Sequence, residues 1–357
     1  MPENNSRAKV EKLPTALVGM SGGLDSTFAA LSLIENGYAV EGAVLRFSDE
    51  TDVKSAEKAA SDLGIKLHVI DCRDDFKKFV TDNFTREYLC GRTPNPCVVC
   101  NRYVKVKKLC DAAREMGFDY FATGHYCSVG FENGRCFIRR GKDENKDQSY
   151  MLWGLSQEQL SMFLTPLADL SKEYIRSYMA KKGFEQASAK ESQDICFIPN
   201  GDYAKYIEDS AGKVPCGNFI DENGNVIGTH KGIIHYTVGQ KKRLGIALGE
   251  KMTVCGIDAK ENTVMLMPSE SYKPCGKIKI DELNFQYISS LDEIKDLPLT
   301  VKVRYSAKPR KAKIDAGKDE IFAEFEPTFP ESAPGQSAVF YVGDKLAFGG
   351  FIEQLER

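Results

Sequence analysis

The chain has 357 residues, 42% hydrophobic and 28% charged, with 48 Lys and Arg against 51 Asp and Glu and a formal net charge of −3 at pH 7. That length accommodates two or three domains, and the composition belongs to a soluble globular protein rather than a disordered or fibrous one. No apolar run reaches the ~20 residues of a membrane span, and the polar stretch 1–13 is unlike a secretory signal. The chain therefore reads as cytoplasmic, and a nucleic-acid partner would have to be met by local basic patches.

The apolar run Ala16-Leu17-Val18 predicts a first strand, and residues 27–34 have a helical pattern. Between them lies Gly19-Met20-Ser21-Gly22-Gly23-Leu24-Asp25-Ser26. Gly22 and Gly23 allow positive φ, so that successive N–H groups can converge on an anion. Asp25 and Ser26 are placed to cap the following helix, whose N-terminus favours phosphate oxygens. A Walker loop would need Lys and then Ser or Thr after the last glycine, and there is no G-x-G-x-x-G for a dinucleotide.

Further strands are expected at 39–47, 65–71 and 118–123, the last ending at Gly124-His125, and helices at 53–63, 74–88 and 98–116. Alternating strands and helices indicate an α/β fold, a doubly wound parallel sheet with ligands at the carboxyl ends of its strands. Helical patterns continue at 157–164 and 172–182. Beyond about Gly212 short alternating runs take over, at 219–220, 232–237, 253–257, 264–267, 301–305, 321–325 and 338–342. They suggest two small sheets or barrels divided near Lys273-Pro274.

Eleven cysteines are many for a chain without a signal peptide, and an odd count argues against a disulfide framework. Gly91-Arg92-Thr93-Pro94-Asn95-Pro96-Cys97-Val98-Val99-Cys100 puts Cys97 and Cys100 at a helix start, where thiolate is stabilised. Cys196 follows Glu191-Ser192-Gln193-Asp194-Ile195. The others, Cys72, Cys90, Cys110, Cys127, Cys136, Cys216, Cys255 and Cys275, read as small buried hydrophobes.

Taken with Ala122-Thr123-Gly124-His125, Lys146-Asp147-Gln148-Ser149-Tyr150 and Tyr236-Thr237-Val238-Gly239-Gln240, these segments closely resemble the bacterial-type tRNA-specific 2-thiouridylases of the ATP-pyrophosphatase (PP-loop) superfamily. The match runs from about residue 15 to residue 350. It implies an adenine nucleotide alpha hydrolase-like catalytic domain (1–208), a central β-rich tRNA-binding domain (209–274) and a C-terminal β-barrel (275–357). The implied activity is ATP-dependent 2-thiolation of the tRNA wobble uridine. Adenylation of O2 makes that oxygen leave as AMP, after pyrophosphate release, when sulfur attacks C2.

By the same resemblance Cys196 carries a persulfide and Cys100 is the nucleophile that frees its sulfur, the two ending as a disulfide. ATP meets Gly19, Met20, Ser21, Gly22, Gly23, Leu24, Asp25, Ser26, Leu45 and Gly124, with Mg2+ on the pyrophosphate and Asp25 as a candidate ligand. tRNA contacts fall on Asn95, Pro96, Cys97, His125, Lys146, Asp147, Gln148, Arg304, Tyr305 and Gln336. The implied partners are tRNAs with Lys, Glu and Gln anticodons and a sulfur donor such as a cysteine desulfurase or a sulfur-relay protein.

Cys97 departs from the resemblance, since well-studied relatives have aspartate there. Three thiolates, Cys97, Cys100 and Cys196, could instead hold a [4Fe-4S] cluster with one open iron; a zinc site lacks a fourth ligand. Lys241, Lys242 and Arg243 form a basic loop, and alternation at 301–305 puts Lys302 and Arg304 on one face suited to an RNA backbone. Two other readings remain: an ammonia-using amidotransferase or ligase on the same loop, and a non-catalytic RNA-binding module.

Overall fold

In the computed structural model, β1 (Thr15–Gly19) is the middle strand of a parallel sheet ordered β3 (Leu67–Asp71), β2 (Ala39–Arg46), β1, β4 (Tyr120–Ala122) and β7 (Phe163–Leu164). The described residues are 12–188, 195–198, 200–273, 275–295, 297–317, 320–325 and 332–356. Ala16, Leu17 and Val18 are all inaccessible to solvent, because both faces of the strand are covered. Leu17 points into a core with Leu109, Phe121 and Trp153, while Ala16 and Val18 point into another with Phe28, Ile175 and Met179. Burying each of these large side chains contributes about 1.5–3 kcal/mol.

Helix α1 (Leu24–Glu35) follows β1, and α2 (Val53–Asp62) connects β2 to β3. The next two helical runs, 73–89 and 96–115, each contain a π turn, at Lys77–Thr81 and Asn101–Lys105. The helical pattern expected through 164 stops at Ser161, since Phe163–Leu164 adds to the sheet edge beside Phe121-Ala122. No helix among the described residues is long and apolar enough to cross a membrane.

One hairpin was not anticipated. β5 (Cys127–Glu132) and β6 (Arg135–Arg140) meet at Asn133-Gly134, where φ is 51° and 77°. Asn-Gly with both φ positive matches the twist of a two-residue hairpin. Its strand β6 pairs with the C-terminal barrel through Arg139 and Lys345.

The central region is a four-stranded sheet ordered β10 (Met252–Asp258), β11 (Thr263–Pro268), β8 (Gly217–Ile220) and β9 (Val226–His230). The strand expected at 232–237 is instead a single tight turn, Ile233–His235, entered through Gly232 at φ 122°. Six strands then close a barrel: β12 (Lys277–Phe285), β15 (Ile321–Phe325), β14 (Arg310–Ala316), β13 (Leu299–Lys302), β16 (Ser337–Val342) and β17 (Lys345–Glu356), with β17 pairing back to β12.

The barrel shares a core with the parallel-sheet region. Val339, Tyr341 and Leu346 pack with Tyr150 and Trp153, and the Trp153 indole N–H donates to Ser337 Oγ at 3.0 Å. A Cβ on Gly349 would lie 2.7 Å from that indole, so glycine permits the contact.

Candidate active site

The phosphate loop sits at the carboxyl end of β1. Gly22 has φ 76°, and a Cβ on it would come 2.5 Å from the Ser55 carbonyl carbon at the start of α2. The expected cap is not made. Gly23 is the N-cap of α1 and no side chain caps it; the Ser26 hydroxyl meets Gly23 O (3.1 Å) and the Ser21 N–H (3.2 Å). Asp25 lies inside the first turn, where Oδ1 accepts from Tyr126 Oη (2.7 Å) and Lys172 Nζ (2.5 Å). The helix end is thereby left open to an anion.

Gly124 closes the other side of the loop, where a Cβ would approach the Asp25 carbonyl carbon to 2.8 Å. Leu45, at the end of β2, is 7% exposed and packs in the core, so it can offer a ligand only its backbone edge.

The thiol crevice is assembled from three distant segments. Pro96 opens the helical run, and Asn95 Oδ1 accepts from the N–H groups of Cys97 (3.1 Å) and Val98 (3.3 Å). Thr93, just ahead, is clamped: its N–H donates to Pro334 O (2.7 Å), Gln336 Nε2 donates to its carbonyl (2.8 Å), and its hydroxyl donates to Thr237 Oγ1 (3.2 Å). Cys196 is fixed by its neighbour Phe197, whose ring packs against Phe76, Phe84 and Tyr206 at 5.2–5.7 Å.

All eleven cysteines are free thiols; Cys97 and Cys196 reach solvent and Cys100 is half-buried. Cys90 and Cys216 are exposed and Cys136 half-buried, contrary to the expectation of burial. Burial pushes the Cys100 thiol up to about 12 and raises Cys97 and Cys196 as well; Cys196 adds to the rise at both others. Desolvation thus outweighs the helix N-terminus, whose first amides Asn95 already occupies. Among the described residues no three His, Cys, Asp or Glu side chains are grouped as an assembled metal site.

Lys105 counteracts the rise at all three thiols and also acts on buried His125. It ends the π turn Asn101–Lys105, which begins one residue after Cys100. A π turn brings i and i+5 together, and sequence spacing alone gave no sign of that arrangement.

The expected tRNA contacts divide in two. Arg304 and Gln336 line a cavity of about 290 Å³ with Thr93 and Gln240. Tyr305 is 37% exposed and has Cys97 and Lys146 among its titratable neighbours. His125 and Asp147, by contrast, are 5% and 4% exposed and cannot meet RNA as placed. His125 Nδ1 bonds Thr123 Oγ1 (2.7 Å), and Asp147 accepts from the N–H groups of Gly141 and Ser149 and from the Ser149 hydroxyl. Gln148 Oε1 accepts from the Tyr126 N–H (3.0 Å), and Lys146 is half-buried. β13 ends at Lys302, which is buried 3.9 Å from Asp147, so Lys302 and Arg304 share no face.

Residues 14–200 match the family described as "tRNA methyl transferase HUP domain", 204–268 its PRC-barrel domain, and 276–352 the "Aminomethyltransferase beta-barrel domain". The chain is 41% identical over 356 residues to a tRNA-specific 2-thiouridylase MnmA of Acetivibrio thermocellus, covering 94% of this chain and 98% of that one. It belongs to the tRNA-specific 2-thiouridylase family. Members from Clostridium acetobutylicum and Carboxydothermus hydrogenoformans are both 40% identical, over 94% and 95% of this chain and 99% and 97% of theirs. Within this 2-thiouridylase chain, Thr93, Lys105, Tyr126 and Lys172 are the site residues that sequence reasoning missed. Only Thr93 had a local signal, through the Thr-Pro-Asn-Pro run that contains it.

Proposed function

We propose that the protein thiolates C2 of the wobble uridine in tRNA at the expense of ATP. The observation that carries this is the pairing of an open phosphate loop with a crevice of three free thiols, in a chain about 40% identical to 2-thiouridylases along almost its whole length. ATP lies along residues 19–26 and Gly124. Magnesium fits there: it uses one or two carboxylates plus phosphate oxygens, and Asp25 has its protein partners on Oδ1, leaving Oδ2. The metal would neutralise the leaving pyrophosphate.

In the first step uridine O2 attacks the α-phosphate and pyrophosphate leaves. In the second, the Cys100 sulfur attacks the inner sulfur of a persulfide on Cys196. A Cys100–Cys196 disulfide forms, and the outer sulfur departs as hydrosulfide, which adds at C2 and expels AMP. The outer sulfur is reduced by the two electrons released as the disulfide forms, and a dithiol reductant then reopens that bond. Cys100 begins protonated because burial raises it, so its proton must leave during the attack, and Lys105 offsets the resulting charge. Arg304, Tyr305 and Gln336, with Asn95 and Lys146, grip the tRNA, with lysine, glutamate and glutamine tRNAs as the expected set and a desulfurase or relay protein as the donor.

The test is reconstitution with unmodified tRNA, ATP and a persulfide donor. Thiolated tRNA, AMP and pyrophosphate in equal amounts are expected. ATP cleavage fed by ammonia would overturn the reading, as would RNA binding without ATP turnover.

A further inference from the structure

A cavity of about 740 Å³ opens between residues 200–204, just past Cys196, and the loop 239–243. Lys231, His235, Lys241, Lys242 and Arg243 line it. Among the described residues the only carboxylate in its wall, Asp202, is turned onto the Lys205 N–H (3.0 Å) as the cap of the helix Tyr203–Ala211. The wall is therefore strongly basic although the molecule as a whole is weakly acidic.

The basic loop is braced from within. Gln240 accepts from the Thr237 N–H (3.1 Å) and donates to Lys242 O (3.0 Å), while Tyr236 Oη donates to Leu244 O (3.2 Å). Arg243 nevertheless holds φ 58°, the region the chain fills with glycine nearby at Gly239 (88°) and Gly245 (76°). Glycine, and less often asparagine or aspartate, takes that conformation readily, while arginine does so at a cost. The Arg243 side chain is exposed and makes no ion pair or hydrogen bond among the described residues, so the strain brings no packing in return. Strain of this kind points to a side chain kept for a ligand.

Gly239 and Gln240 also line the smaller cavity that holds Arg304 and Gln336. A basic track thus runs from Arg304 across Gln240 to Lys242 and Arg243. We propose that the 740 Å³ groove binds the sugar–phosphate backbone of the tRNA, with Lys242 and Arg243 on phosphates. This rests on the tRNA reading above. Continuity with the Arg304 cavity favours RNA over an acidic protein partner.

The test is the affinity of full-length unmodified tRNA for the intact protein over a series of KCl concentrations. Arg243→Gly is expected to bind several-fold more weakly and to lower the slope of log affinity against log salt by about one. Its thermal midpoint should hold or rise, since glycine relieves the strain; a merely structural arginine would not combine those two effects. Lys242→Ala and, from the opposite wall, Lys231→Ala should lower affinity and slope in the same way. Folded variants with unchanged affinity and slope would overturn the proposal. So would variants that bind tRNA normally but accept sulfur slowly on Cys196 from a desulfurase, which would make the groove a protein dock. Wild-type protein that neither binds nor thiolates tRNA would overturn the functional reading, and the groove's RNA with it.

Discussion

The phosphate loop and the thiol crevice are built in opposite ways. The loop is one continuous stretch, residues 19–26, folded onto the strand and helix that flank it, with Ser55, Gly124, Tyr126 and Lys172 as its outside neighbours. The crevice draws Cys97 and Cys100 from one helix start and Cys196 from a remote segment, and barrel residues Pro334 and Gln336 hold Thr93 in place. In the proposed reaction the loop alone serves the activation of the oxygen by ATP. Delivering sulfur to the activated carbon requires all three regions to assemble.

The sharpest way to separate the two is to remove a thiol. Cys196→Ser or Cys100→Ser should lower tRNA thiolation by at least about 10³-fold, while tRNA-dependent pyrophosphate release continues. Loss of both activities together would mean that loop and crevice do not act separately. The converse variant is Gly22→Ala, whose Cβ meets the Ser55 backbone at 2.5 Å and whose φ of 76° disfavours any side chain. Pyrophosphate release should fall about a hundredfold, the scale of a small misplacement of reacting groups, while persulfide loading of Cys196 persists.

The clamp tests whether the barrel reaches the chemistry. Gln336→Ala removes the bond to Thr93 O (2.8 Å), worth about 1 kcal/mol. A fall of roughly fivefold in thiolation is expected at unchanged KM for ATP, whereas a purely tRNA-binding role would appear in the KM for tRNA alone. Smaller still is Cys97→Asp. The persulfide route needs no resident iron, so protein purified without oxygen should carry no stoichiometric iron, and the aspartate variant should retain thiolation. Iron that disappears on mutation would return Cys97 to the role of a cluster ligand.

The same contrast governs what could be read from sequence. The strands expected at 39–47, 65–71 and 118–123 and the positive φ of Gly22 follow local patterns, and they fold as expected, whereas the strand at 232–237 and the Asp25 or Ser26 cap do not form. What failed depends on tertiary company. His125 and Asp147 are polar residues in motif segments, yet both are buried with internal partners. Lys302 alternates like a surface residue, but β13 stops there and the side chain turns in toward Asp147. Lys105 gains its place through a π turn, which has no strong sequence signal. The Asn133-Gly134 hairpin went unread although its turn signal is local; its link to the barrel carries no such signal, because one pairing at Arg139 and Lys345 makes it.

His125 gives the smallest predicted effect, confined to acid pH. Burial is the main reason its pKa lies well below the ordinary histidine value of 6.5, and Lys105 adds to the shift. The folded state therefore keeps the ring neutral while the unfolded chain takes up a proton as pH falls below 6.5, so stability is full above that value and declines beneath it. The decline can reach about 1.4 kcal/mol per pH unit from this one group. The exposed carboxylates Asp52, Asp71 and Asp119 do not obscure it, since their hydrogen-bond donors lower them and they titrate further toward acid; His230 and His235, also lowered by burial, share the window, so the His125 part is read from the variant's difference. His125→Leu should cost about 1 kcal/mol at every pH by stranding the Thr123 hydroxyl, and should flatten the fall in thermal midpoint just below pH 6.5. An unchanged slope would mean that His125 already carries its proton in the folded protein, which would place a second charge beside Lys105 and the thiols.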